Sequence, residues 1–134
     1  MDITRRCDYA CRILRSAYEC GDSYISIADV AEKEDVPYSF ARSIQHDLVK
    51  AGFLKTIRGV RGGLTLDCDP HEVTLQEVIE ALQGPIGMSP CSVDCDYCNR
   101  SSGCEFNAVW CAADVLVAQL FSSCRSLREG REPS

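Results

Sequence analysis

Apolar residues recur at helical spacing along several stretches of the chain, and turn-forming residues separate these stretches. The first, residues 4–19, places five such residues on one face: Ala10, Ile13, Leu14, Ala17 and Tyr18. This spacing predicts an amphipathic helix, and Gly21 and Asp22 are expected to end it.

Two more helices are predicted directly afterwards. Ser26 is suited to cap a helix that extends to about Glu34, with Asp29 as its capping-box partner. A tight connection then leads to a third helix, predicted from Tyr38 to Ala51, with Gly52 beyond its end. Its predicted buried face carries Phe40, Ile44 and Leu48. The opposite face is small, polar and basic, and comprises Ser39, Arg42, Ser43, His46 and Lys50.

A β-hairpin is predicted after the third helix. Residues 53–57 have the composition of a strand, and residues 64–66 that of its return. The glycine-rich turn between them places Arg58 and Arg61 at its tip. An ordinary hairpin with solvated arginines is the alternative, but the basic residues concentrate on this hairpin and on the third helix. The order of elements therefore predicts a winged helix-turn-helix, whose third helix enters the DNA major groove while the wing contacts the backbone or minor groove.

The second half of the chain contains two further predicted helices. Thr74 is suited to cap the first of them, and Gly84 and Pro85 end it. The second, residues 105–127, carries an apolar stripe over three heptads: Phe106, Trp110, Ala113, Val117, Leu120, Cys124 and Leu127. Because the preceding helices are short, we expect this stripe to pack against the same helix of a second copy, forming a homodimer.

These elements predict a mainly α fold with a small β-hairpin: a winged helix-turn-helix followed by a long C-terminal dimerisation helix. The predicted organisation is a DNA-binding domain at 1–83, a cysteine-rich loop at 84–104, the dimerisation helix at 105–127 and a disordered tail at 128–134.

Charge and composition narrow the functional classes. The chain has 134 residues and a net charge of −6, yet one basic module lies between residues 38 and 63. We expect no signal peptide or membrane association, and therefore a cytoplasmic protein, in which cysteine clusters usually indicate metal or redox chemistry. No Ser-His-Asp set, phosphate loop or carboxylate pair indicates an enzyme.

Four of the ten cysteines fall within one polar loop: Cys91, Cys95, Cys98 and Cys104. The side chains of this polar loop bury too little apolar surface to offset the entropy lost when it becomes ordered. Thiolates that converge on a metal would supply the missing free energy. A four-thiolate zinc site and a metal-free thiol sensor remain alternatives to iron. The spacing Cys91-x3-Cys95-x2-Cys98 also matches radical S-adenosylmethionine enzymes, but such enzymes need a barrel of about 200 residues or more.

Several short motifs carry a resemblance to a known family. They are Val36-Pro37-Tyr38-Ser39, Ala51-Gly52-Phe53-Leu54 and Arg58-Gly59-x-x-Gly62-Gly63, followed by the cysteine loop. With them the chain resembles the Rrf2 family of bacterial winged-helix regulators from about Ile3 to Leu127. The resemblance implies a homodimer on a double-stranded DNA operator with two half-sites. It also implies an iron–sulfur cluster, [2Fe-2S] or [4Fe-4S], bound by Cys91, Cys98 and Cys104.

The fourth ligand is where the chain departs from the family. One branch places a histidine at the position of Asn107, and asparagine is a poor iron ligand. Another branch uses a carboxylate from the first helix of the partner subunit, which corresponds to Asp8 here; Cys95, Cys7 and Cys11 are rivals. Arg5 and Arg6 are expected to contact DNA phosphates in place of a basic residue that the family usually has at position 2.

Overall fold

The computed structural model describes residues 2–124. Its helices are α1 (Arg5–Glu19), α2 (Ile27–Lys33), α3 (Tyr38–Lys50), α4 (Leu75–Gln83), α5 (Pro90–Val93) and α6 (Glu105–Ser123), with a 3-10 turn at Ser101–Gly103. Strands β1 (Leu54–Ile57) and β2 (Gly63–Leu66) lie between α3 and α4. The predicted fold class, mainly helical with one hairpin, is confirmed.

Hydroxyl side chains define the starts of three helices. The Ser26 hydroxyl accepts a hydrogen bond from the Asp29 amide at 3.1 Å, and the Thr74 hydroxyl accepts one from the Glu77 amide at 3.2 Å. Both caps were predicted. Thr4 caps α1 in the same way, through the Cys7 amide at 3.1 Å. These caps satisfy amides that the first turn of a helix leaves without partners.

The hairpin pairs β1 and β2 antiparallel, with Leu54 opposite Leu66. Ile25 extends this small sheet, because its amide donates to the Leu64 carbonyl at 3.0 Å and its carbonyl accepts from the Leu64 amide at 2.8 Å. At the base of the turn, a Cβ on Gly62 would overlap the carbonyl of Ile57. Only glycine therefore fits where the wing closes.

One hydrophobic core joins α1, α2, α3 and the hairpin. Ile13, Leu14, Ile44, Leu48 and Leu64 are at most 1% exposed, and burying each such side chain contributes about 1.5–3 kcal/mol. α4 covers a second side of α1. The core is therefore complete without α6.

The prediction that Phe40 lies on the buried face of α3 is wrong. Its side chain is 51% exposed, and its ring meets Tyr9 edge-on with centroids 6.3 Å apart. Ala41 is buried instead, because residues 41, 44 and 48 follow the helical repeat that faces α1 and α2. The close approach of these helices leaves room for a methyl group, not for a ring.

The long C-terminal helix begins as predicted, at Glu105, but ends at Ser123. Cys124 follows it as a cap, and its carbonyl accepts a hydrogen bond from the Leu75 amide at 3.0 Å. This bond, with Ser122 donating to Gln76 at 2.5 Å, attaches the end of α6 to the start of α4. Leu127 and the predicted tail at 128–134 lie outside the described residues.

Candidate DNA-binding surface and cysteine site

The outer face of α3 is basic and open. All five residues predicted to face DNA from this helix are exposed: Ser39, Arg42, Ser43, His46 and Lys50. The Arg42 guanidinium lies over the Tyr38 ring, 6.0 Å from its centroid, and this cation–π contact orients it away from the core. The face carries hydrogen-bond donors of the kind that read base edges and contact phosphates in DNA-binding proteins.

The predicted wing arginines are also exposed. Arg58 and Arg61 flank the tip of the hairpin, and Val60 projects between them with its side chain fully in solvent. Because β1 follows α3 directly and packs on it, the wing stays attached to the base of the recognition helix. The two basic elements form one module, as the winged-helix arrangement requires.

The two arginines at the start of α1 differ in their surroundings. Arg5 is exposed. Arg6 instead forms an ion pair with Asp47 on α3 and donates a hydrogen bond to the Ser43 hydroxyl at 3.2 Å. Its guanidinium thus links α1 to the recognition helix. Contact between Arg6 and a DNA phosphate stays a prediction. In such a contact the guanidinium would be shared between the phosphate and Asp47.

The cysteine loop begins with an ordered turn. Cys91 lies in α5, and the Ser89 hydroxyl is 3.3 Å from its sulfur. The Asn107 amide group on α6 donates to the Cys91 carbonyl at 3.1 Å. Hydrogen bonds from Ser89 and Asn107 hold the pKa of the Cys91 thiol below its ordinary value of 9.0. A lowered pKa favours the thiolate, which is the form that binds metal.

The other loop cysteines differ in exposure. Cys98 and Cys104 are half-buried like Cys91, whereas Cys95 is exposed. Cys104 occupies the N-cap position of α6, where free backbone amides favour negative charge, although its side chain makes no capping hydrogen bond. The three predicted ligands are thus the sheltered thiols of the loop, and Cys95 is the thiol that projects from it. This arrangement of donors suits a cluster bound by Cys91, Cys98 and Cys104.

The spacing of these sulfur atoms is wider than a mononuclear site requires. Within residues 2–124, the one set of three metal-binding side chains whose ligand atoms lie within 4.8 Å of one another is Asp94, Cys95 and Asp96, all exposed. Tetrahedral zinc with Zn–S bonds of about 2.3 Å brings its sulfurs to about 3.8 Å apart. The sulfur atoms of Cys91, Cys98 and Cys104 do not all lie within 4.8 Å of one another.

The candidates for a fourth ligand lie on α1. The Asp8 carboxylate is partly exposed and pairs with Arg12 at 2.9 Å. Cys7 is fully buried, and its hydrogen bond with Cys11 lowers the pKa of Cys7 and raises that of Cys11. Because Cys7 is buried, its thiol is not accessible to another protein surface, whereas the Asp8 carboxylate is partly exposed. α1 packs on α2, α3, α4 and β2 of the DNA-binding domain.

One side of α6 is apolar and exposed. Phe106, Trp110 and Leu120 of the predicted stripe are 69%, 38% and 61% exposed, and the two aromatic rings stack with centroids 6.5 Å apart. The helix is also apolar and long enough to cross a membrane by composition alone. Its attachment to α4 and α5, with Asp114 within it, instead describes a helix that belongs to a folded domain.

Sequence reasoning missed two residues of the cysteine site. Asn107 was considered only as a poor iron ligand, and Asp114 was not considered. In the structure both bond to the segment around Cys91: the Asp114 carboxylate accepts a hydrogen bond from the Met88 amide at 2.7 Å. Their spacing from Cys104, three and ten residues along one helix, was the available signal, because it puts all three on one side of α6.

Three helices, the third of which has an exposed basic face, and a hairpin with a basic tip define the class of winged-helix DNA-binding proteins. The chain belongs to the Rrf2 family, because the family profile described as "Iron-dependent Transcriptional regulator" matches residues 3–125. It is therefore a transcriptional regulator and not an enzyme, which excludes the radical S-adenosylmethionine alternative.

Individual relatives agree with this assignment. An HTH-type transcriptional regulator of Rhodobacter capsulatus, described as rrf2-like, is 30% identical over 127 residues, covering 88% of this chain and 83% of the relative. The regulator IscR of Aliivibrio salmonicida is 28% identical, and the match covers 97% of this chain and 73% of that relative. Among solved structures, IscR of T. potens superimposes with a TM-score of 0.77 at 17% identity, covering 98% and 89%, which shows the same fold.

Proposed function

We propose that this regulator is a cytoplasmic repressor whose binding to DNA is controlled by an iron–sulfur cluster at Cys91, Cys98 and Cys104. It would act as a homodimer that places its two α3 helices on the two half-sites of an operator. The observation that carries the proposal is the arrangement of the cysteine loop on α6. Three half-buried thiols lie in the segment that leads into that helix, and the first is already held by hydrogen bonds from Ser89 and Asn107.

The homodimer is supported by the apolar surface of α6. No residue of this helix is buried, although 13 of its 19 positions are apolar. Phe106, Trp110 and Leu120 would leave water if the helix packed against its counterpart, and each large side chain so buried contributes roughly 1.5–3 kcal/mol. A symmetric pair of α6 helices would then set the distance between the two DNA-binding domains.

Contacts within the chain connect the cysteine site to the DNA-binding surface. The loop bonds to α6 through Asn107, and the end of α6 bonds to α4 through Cys124. α4 packs on α1, and α1 holds α3 through Arg6. When bound, the cluster would hold its thiolates in one arrangement and react with oxidants or nitric oxide. A change in the loop would reach the recognition helices by this route and alter their fit to the two half-sites.

For the fourth ligand we propose Asp8 of the second subunit. A carboxylate is a harder and weaker iron ligand than a thiolate, so it would leave a labile position for a small signal molecule. To bind, Asp8 must exchange its ion pair with Arg12 for iron. Cys95 is the rival ligand, since it lies within the loop itself and its thiol is exposed.

Anaerobic purification followed by visible absorption and by iron and acid-labile sulfide analysis tests the proposal. A cluster gives colour and sulfide, whereas the zinc and metal-free thiol alternatives give neither. The visible spectrum also distinguishes [2Fe-2S] from [4Fe-4S]. We expect serine at Cys91, Cys98 or Cys104 to abolish or cripple cluster retention.

Two variants serve as references in that experiment. Cys20→Ser removes a thiol far from the loop and should leave the cluster unchanged. Asp8→Ala should leave a cluster that forms with a shifted spectrum and altered reactivity, while Cys95→Ser should be mild. A Cys95→Ser variant as damaged as the other loop variants, with an unaffected Asp8→Ala variant, would assign the fourth position to Cys95.

A further inference from the structure

We infer that Asn107 and Asp114 are positioning residues that hold the Cys91 end of the loop on α6 whether or not a cluster is bound. The inference rests on the proposed function for its meaning, since it treats Cys91 as a ligand. The hydrogen bonds themselves involve protein groups alone.

The two side chains reach the loop from one side of α6. Asp114 accepts from the Met88 amide at 2.7 Å, and Asn107 donates to the Cys91 carbonyl at 3.1 Å. Seven residues separate Asn107 from Asp114, which is two helical turns, so both project in nearly the same direction. They hold the loop at Met88 and at Cys91, which are three residues apart. Because the loop is held at two points, its direction is fixed as well as its position.

The segment that they hold is itself compact. The Ser92 hydroxyl donates to the Ser89 carbonyl at 2.9 Å and accepts from the Ser89 amide at 3.3 Å. The Val93 side chain fills the space that a Cβ on Gly87 would need. Residues 87–93 therefore form one ordered unit, and two bonds to α6 are sufficient to position all of it.

Cys111 makes a weak contact that favours the observed orientation of the Asn107 side chain. Its thiol lies one helical turn further along α6 and is 3.8 Å from Asn107 Oδ1, within range of an S–H···O bond. With its oxygen engaged on that side, the amide directs its N–H groups toward Cys91. Both Asn107 and Asp114 are half-buried, so water competes only partly for these bonds.

The two halves of the loop should consequently respond differently to cluster loss. Residues 88–91 keep their bonds to α6, whereas the thiols of Cys98 and Cys104 lose their connection to Cys91. Asp114→Asn keeps an acceptor oxygen for the Met88 amide, while Asp114→Ala removes it.

Amide hydrogen exchange of Met88, measured by NMR on cluster-free protein, tests the inference. We expect protection of this amide in the wild type and in Asp114→Asn, and exchange faster by about tenfold in Asp114→Ala. Ser122→Ala, which removes an α6 hydroxyl bonded to Gln76, is the matched control and should leave Met88 unchanged. Exchange of the Ile79 amide in α4 reports whether the domain remains folded.

A Met88 amide that exchanges freely in the wild type, or at the same rate in Asp114→Ala, would overturn the inference. In protein that carries the cluster, release of iron to a chelator should be faster in Asp114→Ala and in Asn107→Ala, and no faster than wild type in Asp114→Asn. If the protein binds no iron, the proposed function fails, whereas the exchange experiment still decides whether the two residues position the loop.

Discussion

Arg6 on α1 forms an ion pair with Asp47 on α3, so the residue that was expected to contact a phosphate is bonded to the recognition helix. The same guanidinium also donates to the Ser43 hydroxyl. Asp47 is the acidic residue of an otherwise basic helix face, and Arg6 neutralises it. The pair therefore links α1 to α3 and neutralises a negative charge on the face predicted to contact DNA.

The Arg6–Asp47 pair should contribute measurably but modestly to stability. Its side chains are 32% and 43% exposed, and screened pairs of this kind contribute about 0.2–1 kcal/mol. A double-mutant cycle with Arg6→Ala and Asp47→Ala in urea unfolding should give a coupling energy in that range. Arg5→Ala, at an exposed neighbour, should leave stability unchanged and lower the salt dependence of DNA binding. A coupling energy of zero would mean that the pair does not hold α3.

The wing arginines should supply affinity without sequence preference. Replacing Arg58 or Arg61 with alanine should weaken binding to all duplexes and lower the slope of log K against log salt by about one unit each. Lys33→Ala removes a charge that pairs with Glu19 at 2.7 Å outside the basic module and should change neither quantity. Arg42→Ala should instead relax base preference. Unchanged affinity and slope in the wing variants would contradict the placement of the wing on DNA.

The assembly prediction concerns Leu120, which is 61% exposed on the stripe of α6. Leu120→Glu would place two like charges in the interface, at a cost of several kcal/mol, and should give a monomer in light scattering. Val115→Glu is the matched control, because Val115 is 56% exposed on the other side of the same helix. It should remain dimeric. A monomeric wild type would contradict the dimer altogether.

Glu34 gives the domain a defined pH dependence. Burial raises the pKa of its carboxyl, but hydrogen bonds from Ser16 and Arg15, both at 2.6 Å, outweigh it and lower the pKa below its ordinary value of 4.5. Because the folded-state pKa is the lower one, the stabilisation is complete above pH 4.5 and is lost as the pH falls through the folded value. Unfolding free energies of Glu34→Gln and wild type should therefore differ at neutral pH and converge in acid. A constant difference down to pH 3 would contradict this assignment.

Local signals were sufficient to predict most of the fold. Ser26 and Thr74 indicated helix starts, because a hydroxyl before an apolar repeat can accept hydrogen bonds from the free amides of the first turn. The glycines within residues 58–63 indicated the wing. Phe40 was misplaced because adjacent positions on a helix differ by 100°, and only the distance to α1 and α2 decides which one faces the core. That distance depends on the packing of the whole domain.

The cysteine loop could be singled out from the sequence, but the hydrogen bonds that support it could not. Cysteine spacing singled out the loop, since thiolate chemistry is carried by residue type. The loop was expected to lack order without metal, yet Ser89, Asn107 and Asp114 hold its first half through hydrogen bonds. The Asn107 bond reaches a backbone group 16 positions away, and the Asp114 bond reaches one 26 positions away. No local sequence pattern indicates which backbone group a distant side chain will contact.

The central claim, that the state of the cysteine site controls DNA binding, is tested most directly by comparing one preparation with and without its cluster. A preferred duplex is first obtained by repeated selection from random DNA. Its affinity is then measured anaerobically, at one fixed salt concentration, for the cluster-loaded protein and for the same protein after chelation. We predict affinities that differ by about tenfold or more, the 1–3 kcal/mol typical of coupled sites, and no such difference in Cys98→Ser. Equal affinities in the loaded and chelated wild type would contradict the account.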